Sequence, residues 1–214
     1  MLTVLGANAS PYVRKVLIAL AEKDLEYTLD PVLPFDISDE FKKLSPLGKI
    51  PVLKDGDTVL PDSSVICAYL ERKFPKPALY PEDPAAYGRA LWFEEYADTA
   101  IVAVIGPKIF AQRIINPMFL GKPCDEAVVR SALDEDLPRL FGYLESQLDG
   151  GDGIVGGRFS IADVAIASPI VNLQHAKCSI DAQRWPKLAR HVAAVHERPS
   201  FRKAIETERK FFGG

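Results

Sequence analysis

The chain opens on Leu2-Thr3-Val4-Leu5-Gly6 and, three residues later, on Ser10-Pro11-Tyr12-Val13-Arg14-Lys15-Val16. The first run is short, apolar and ended by glycine, which reads as a buried strand. The second opens a helix. Serine at the N-cap followed by proline at the first helical position is a preferred pair, because the serine oxygen accepts an orphan backbone N–H and proline has none to satisfy. Val13, Val16, Leu17 and Leu20 then recur at helical spacing, giving one apolar face.

Outward from this strand and helix the pattern keeps changing period. Residues 25–33 read as a second strand, and 36–44 as a short, irregular helix. Pro51-Val52-Leu53-Lys54, Asp55-Gly56 and Thr58-Val59-Leu60 read as a hairpin. Asp62 or Ser63 then caps a helix that carries Val65, Ile66, Tyr69 and Leu70. The order βαβαββα defines an α/β domain with a mixed sheet over residues 1–76. Pro75, Pro77, Pro81 and Pro84 stop helices and mark a linker over 77–86. From 87 to 214 the pattern is helical throughout, an all-α helical-bundle domain. One helix is expected over 87–115, kinked at Gly106-Pro107, another over 125–148, and shorter ones from about Trp185 and Pro199. Between them Ser160-Ile161-Ala162-Asp163 is a capping-box variant, with Phe159 and Val164 placed as a hydrophobic staple.

Composition narrows the function. The chain has 214 residues, 48% hydrophobic, enough to bury a core, and a net charge of −3 with the signs mixed. That argues against nucleic acid as the partner. No apolar run approaches the ~20 residues of a membrane span, and the N-terminus lacks the pattern of a secretory signal. The sequon Asn8-Ala9-Ser10 is then chance. Cys67, Cys124 and Cys178 are odd in number and widely spaced, so neither a disulfide framework nor a metal site is expected, and reduced thiols point to a cytoplasmic protein. His175, His191 and His196 lack metal-ligand spacing and read as surface or packing residues. Gly151-Asp152-Gly153-Ile154-Val155-Gly156 spells a dinucleotide fingerprint but follows a helix instead of a strand, and reads as the loop before the Ser160 cap.

Four motifs, taken in order, carry a resemblance: Ser10 to Val16, Gly48-Lys49-Ile50-Pro51-Val52-Leu53, Asp62-Ser63-Ser64-Val65-Ile66 and Phe159-Ser160-Ile161-Ala162-Asp163. With these, the whole chain resembles a cytosolic glutathione S-transferase, whose N-terminal domain is thioredoxin-like. The resemblance implies that Ser10 is the catalytic hydroxyl that stabilises the thiolate of glutathione, with Asn8 and Tyr12 as secondary donors. It implies a cis Ile50-Pro51 bond that aims the Ile50 backbone at the cysteinyl part of glutathione. Asp62 would meet the glutamyl ammonium and Ser63 the glutamyl carboxylate, although both also suit helix capping. Lys49 would meet the glycyl carboxylate, with Lys42 or Lys43 behind it.

Asp98 shares a helix face with Leu91, Ile101, Val102 and Ile105, so its carboxylate needs a partner. That partner is either a helix-edge salt bridge or, as in several members of the family, the glutamyl ammonium bound by a neighbouring subunit. The family also implies an electrophile pocket between the domains, walled by Phe110, Arg113, Ile114 and Phe119, each of which equally suits core packing. The resemblance thus implies glutathione as co-substrate, no metal, a small hydrophobic electrophile and a homodimer. Conjugation is its leading activity. A glutathione-dependent peroxidase or isomerase, or a non-catalytic binding protein of the same fold, are the alternatives.

Overall fold

The structure, a computed structural model, describes residues 1–35 and 37–212. The chain divides into two compact units, Met1–Tyr80 joined by the chain from Pro199 onward, and Pro81–Arg198.

The first unit is built on a four-stranded sheet in the order β2-β1-β3-β4, formed by β1 (Leu2–Leu5), β2 (Tyr27–Asp30), β3 (Val52–Asp55) and β4 (Thr58–Pro61). β1 runs parallel to β2 and antiparallel to β3, which pairs antiparallel with β4. Its helices are α1 (Pro11–Glu22), α2 (Asp39–Leu44) and α3 (Ser63–Lys73), and a last helix (Pro199–Phe211) returns from the end of the chain. This is the βαβαββα order with a mixed sheet. β2 is shorter than the expected 25–33, because the Leu25 N–H closes the end of α1 on Leu20 O. Asp36, the expected start of α2, lies outside the described residues; the helix begins at Asp39, where Ser38 Oγ accepts the Phe41 N–H at 3.1 Å.

The apolar face expected of α1 is buried, but so is the rest of the helix from Val13 to Leu20, Arg14 and Lys15 included. The final helix explains this, since it packs along α1 with Phe201 and Ile205 buried. The sequence reading had grouped residues 199–214 with the helical domain; by its contacts this helix belongs to the first unit.

The proline-rich stretch is bound down as well. Lys23 Nζ donates to Phe74 O and Pro77 O at 2.8 Å and pairs with Glu71 at 2.7 Å. Glu71 accepts the N–H groups of Leu79 and Tyr80. The first unit therefore extends to Tyr80, past the residue 76 read from the sequence.

The second unit is helical. α4 spans 84–119, starting three residues before the expected 87 because Asp83 caps it through the Ala86 N–H and Pro84 fills the first position. Instead of one kink at Gly106-Pro107, the helix widens to π-helical turns over Tyr96–Ile101 and Ile105–Ile115. α5 spans 126–147, capped by Asp125 and widened over Ala132–Asp136. α6 (Ile161–His175) is the buried centre of the unit, α7 is Pro186–His196, and the helix Pro199–Phe211 is α8.

The Ser160–Asp163 capping box is present. The Asp163 carboxylate is fully buried and accepts from Ser160 N at 2.7 Å, Ser160 Oγ at 3.2 Å and Ile154 N at 2.8 Å. His191 Nε2 lies 3.0 Å from Asp163 Oδ1 but is not aligned for a hydrogen bond. The glycines of the false fingerprint serve this turn. A Cβ at Gly153 would stand 2.0 Å from Arg158 O, and one at Gly151 2.7 Å from Gly157 Cα. No helix among the described residues is long and apolar enough to cross a membrane.

Gly6 is a comparable contact in the first unit: a Cβ there would lie 2.5 Å from Val13 Cγ2. Gly6→Ala is expected to destabilise folding by about 1–3 kcal/mol, the range for overpacking. Urea denaturation of the variant against the parent measures this.

Candidate functional site

Ser10 stands at the head of α1. A turn closed by Ser10 N donating to Ala7 O leads into it, with Asn8 and Ala9 at the tip. Its backbone is extended, and Oγ accepts the Val13 N–H at 3.4 Å. That distance is beyond the usual N–H···O range, so the capping bond is weak. Capping uses only a lone pair, and the hydroxyl hydrogen is left to donate elsewhere. Tyr12 is part-buried in the first turn, on the helix and not at its cap.

The loop before β3 carries the second group. Ser45 is 2% exposed; its Oγ donates to Lys49 O at 2.7 Å and accepts Lys49 N at 3.2 Å, while Gly48 turns with φ +61°. This pinned loop delivers Ile50-Pro51, whose peptide bond is cis. The β ladder begins only at Val52, so the Ile50 N–H and C=O stand outside it. Ile50 Cβ also lies 3.5 Å from where a Cβ at Gly6 would be, which puts this loop beside the strand that feeds α1. The Lys49 side chain is exposed on the loop. Lys42 and Lys43 are taken up by α2, in i,i+3 pairs with Asp39 at 2.8 Å and Glu40 at 2.6 Å.

The third group is the start of α3. Asp62 is the N-cap at φ +79°, ψ 132°, a conformation that L residues rarely adopt. Its Oδ1 accepts Ser64 N at 2.9 Å and Val65 N at 3.1 Å. The exposed carboxylate keeps Oδ2 for another donor. Ser63 is 2% exposed, at the first position of a helix N-terminus, where free N–H groups favour an anion. α1 and α3 are tied together by Lys15, whose buried Nζ donates to Ser64 Oγ at 3.0 Å. The first unit therefore gathers two helix N-termini and an off-ladder backbone segment around the end of β1.

Sequence reasoning missed Ser45, Lys15 and Ser64. Ser45 had a signal, a serine placed before Pro46 and the Gly48 turn; the Lys15–Ser64 contact had none.

The remaining candidates lie on α4. Asp98 is half-buried in its first π-helical segment. Phe110 is buried, Ile114 half-buried and Phe119 exposed. Arg113 forks onto Glu126 at 3.1 and 2.7 Å and donates to Ala176 O and Cys178 Sγ at 3.1 Å, fastening α4 to α5 and to the end of α6. That hydrogen bonding holds the Glu126 carboxyl below its ordinary pKa. Burial pushes the Cys178 thiol up, and burial followed by the bond to Glu126 does the same for Cys124. Both thiols therefore resist ionisation, which argues against either as a nucleophile near neutral pH.

Comparison with known proteins identifies the family. Residues 4–78 match the glutathione S-transferase N-terminal domain and residues 112–208 its C-terminal domain. Glutathione S-transferase Z2 of Arabidopsis thaliana is 31% identical over 196 residues, covering 89% of this chain and 84% of the plant protein. A stringent starvation protein A homolog of Pasteurella multocida is 27% identical over 207 residues, covering 96% and 90%. A solved glutathione S-transferase I bound with lactoylglutathione superposes with a TM-score of 0.84 at 27% identity, covering 96% of this chain and 98% of that one. The chain belongs to the glutathione S-transferase family.

The capping role of Asp62 and the glutamyl-ammonium role that the resemblance implies separate by substitution. Asp62→Asn keeps a good N-cap that tolerates positive φ, so stability is expected to stay within about 0.5 kcal/mol. The lost charge is expected to weaken glutathione binding by roughly tenfold or more. Thermal melts and isothermal titration calorimetry check the pair of outcomes.

Proposed function

We propose that the chain conjugates glutathione to a small hydrophobic electrophile, with Ser10 stabilising the glutathione thiolate. The observation that carries this is the weakly committed Ser10 hydroxyl at the N-terminus of α1, 3.4 Å from the Val13 N–H it caps. A thiol of ordinary pKa is only about 3% thiolate at pH 7. A hydroxyl donor and a helix N-terminus both favour the anion. Lowering the pKa by about two units gives roughly 75% thiolate and corresponds to about 2.7 kcal/mol of differential stabilisation. No general base is required. The proton leaves to solvent as the thiolate forms, and the thiolate attacks the electrophilic centre.

In this reading the Ile50 N–H and C=O pair with the cysteinyl residue as an added strand would. Asp62 Oδ2 accepts from the glutamyl ammonium. The Ser63 hydroxyl and the α3 N-terminus take the glutamyl carboxylate, and Lys49 the glycyl one. Phe110, Ile114 and Phe119 give α4 the apolar surface a hydrophobic second substrate needs. Arg113 contributes by holding that stretch through Glu126. We place the protein in the cytoplasm, supported by the odd number and wide spacing of its three cysteines, as expected of a reducing compartment. We also propose a homodimer, supported by Trp92, 53% exposed on α4. Asp98 is then the candidate to reach the partner's glutamyl ammonium.

The likeness to the starvation protein homolog favours one other reading, a binding protein of the same fold without catalysis. Retention on immobilised glutathione and a glutathione-dependent rise in melting temperature support the enzyme; absence of both leaves the binding protein.

Ser10→Ala is expected to keep glutathione affinity within a few-fold and to raise the pKa of the bound thiol, read as ultraviolet thiolate absorbance against pH. An unmoved pKa transfers the role to Asn8 or Tyr12.

A further inference from the structure

Arg14 is four residues past Ser10, and its N–H makes the first α-helical bond, to Ser10 O at 2.8 Å. Its side chain is fully buried and forks onto Glu208 of α8, Nε to Oε1 at 2.7 Å and Nη2 to Oε2 at 2.5 Å. Glu208 is itself 1% exposed. At the other end of α1, Glu22 accepts from Ser200 Oγ at 2.5 Å. The early residue of α1 meets the late residue of α8, and the late one meets the early one, so the helices run antiparallel. The two ties lie eight residues apart on each helix, about 12 Å of axis at 1.5 Å per residue. Two attachments that far apart fix both the axial register and the roll of α1.

A buried ion pair is a poor way to gain stability, because desolvation offsets its attraction and apolar residues of the same volume often do as well. What a two-pronged Arg–carboxylate pair adds is geometry. Close apolar packing limits how far a helix can shift, and a planar fork adds a directional restraint on its register and roll.

We propose that Arg14 and Glu208 are positioning residues, whose ion pair sets the first turn of α1 and hence the placement of the Ser10 hydroxyl against the glutathione thiol. The final helix of the chain thereby acts on the thiolate without touching it. This rests on the reading of Ser10 given above.

The test compares Arg14→Met, Glu208→Gln and Ser10→Ala for the pKa of the bound glutathione thiol, the Kd for glutathione and the melting temperature. The first two substitutions change the local charge in opposite senses. A purely Coulombic influence would raise the thiol pKa in Arg14→Met and lower it in Glu208→Gln. Positioning raises it in both, by about one unit, which means tenfold less thiolate at pH values below the pKa. Kd is expected to stay within about threefold, since the groups proposed to bind the tripeptide lie on the Ile50 loop and α3, off the displaced helix. Arg14→Lys keeps the charge but not the fork, and is expected to behave like Arg14→Met. If Arg14→Met does not fold, Glu208→Gln alone decides, by the sign of its shift. The proposal is overturned if Arg14→Met and Glu208→Gln shift the pKa in opposite directions, or if they lower only the melting temperature while Ser10→Ala still raises the thiol pKa. An unmoved pKa in Ser10→Ala overturns the Ser10 reading itself, and the positioning role with it.

Discussion

Two parts of the first unit meet at the backbone of Gly6. Val13 of α1 comes so close that a methyl group there would stand 2.5 Å from its Cγ2, and Ile50 follows at 3.5 Å. Because interiors pack at crystal-like density, contacts this tight leave the surrounding elements few alternative placements. The strand that carries Gly6 lies at the centre of the sheet, paired on both sides. The helix headed by Ser10 and the loop that delivers Ile50-Pro51 are therefore located against the same rigid strand end. The start of α3 joins them through the Lys15–Ser64 bond. Glutathione is a flexible tripeptide, and binding it tightly requires recognition groups that are ordered in advance.

The groups gathered there are drawn from the backbone's own needs. Ser10 caps α1, Asp62 caps α3, and Ile50 stands where the ladder has not yet begun. A helix N-terminus must find acceptors for its N–H groups, and it favours negative charge for the same reason. The two carboxylates of glutathione and its thiolate are all anions, so a site made of helix starts suits all three. The unusual backbone of Asp62 fits this picture, since strained conformations that persist tend to sit at functional sites.

This dual use decides what could be read from the sequence. The Ser10-Pro11 start, the Asp62 cap and the Ser160–Asp163 box are local: each motif spans a few residues, and its chemistry is complete within them. The order of elements along the first domain followed from the same local patterns. The buried cations did not. Arg14 and Lys15 lie off the stripe of Val13, Val16, Leu17 and Leu20, where periodicity assigns charges to solvent, and Lys23 follows the end of the helix. Their partners are Glu208, Ser64, and Glu71 with two carbonyls, between 48 and 194 residues away. No spacing rule links such positions. The surface that α8 covers was hidden for the same reason: its apolar residues announced a helix but not its partner. The wide turns of α4 were equally unreadable, since Gly106-Pro107 signals a disturbance and not the form it takes.

The two halves of the proposed reaction also rest on different physics. The thiol side depends on backbone dipoles, caps and one pinned loop, so most side-chain changes nearby act on it only by moving the backbone. The electrophile side depends on side chains of α4, in a stretch already relaxed into π-helical turns and held at Arg113 by Glu126, Ala176 and Cys178. Hydrophobic recognition of this kind discriminates weakly, about 1–3 kcal/mol per methylene, and changes with each wall residue. A chain built this way can alter its second substrate by substitutions around Phe110, Ile114 and Phe119 while the machinery that ionises the thiol stays as it is. The converse does not hold. With the roles proposed for Ser10, Arg14 and Glu208, a change that shifts α1 by a fraction of an ångström, even one made in α8, would alter the nucleophile for every electrophile at once.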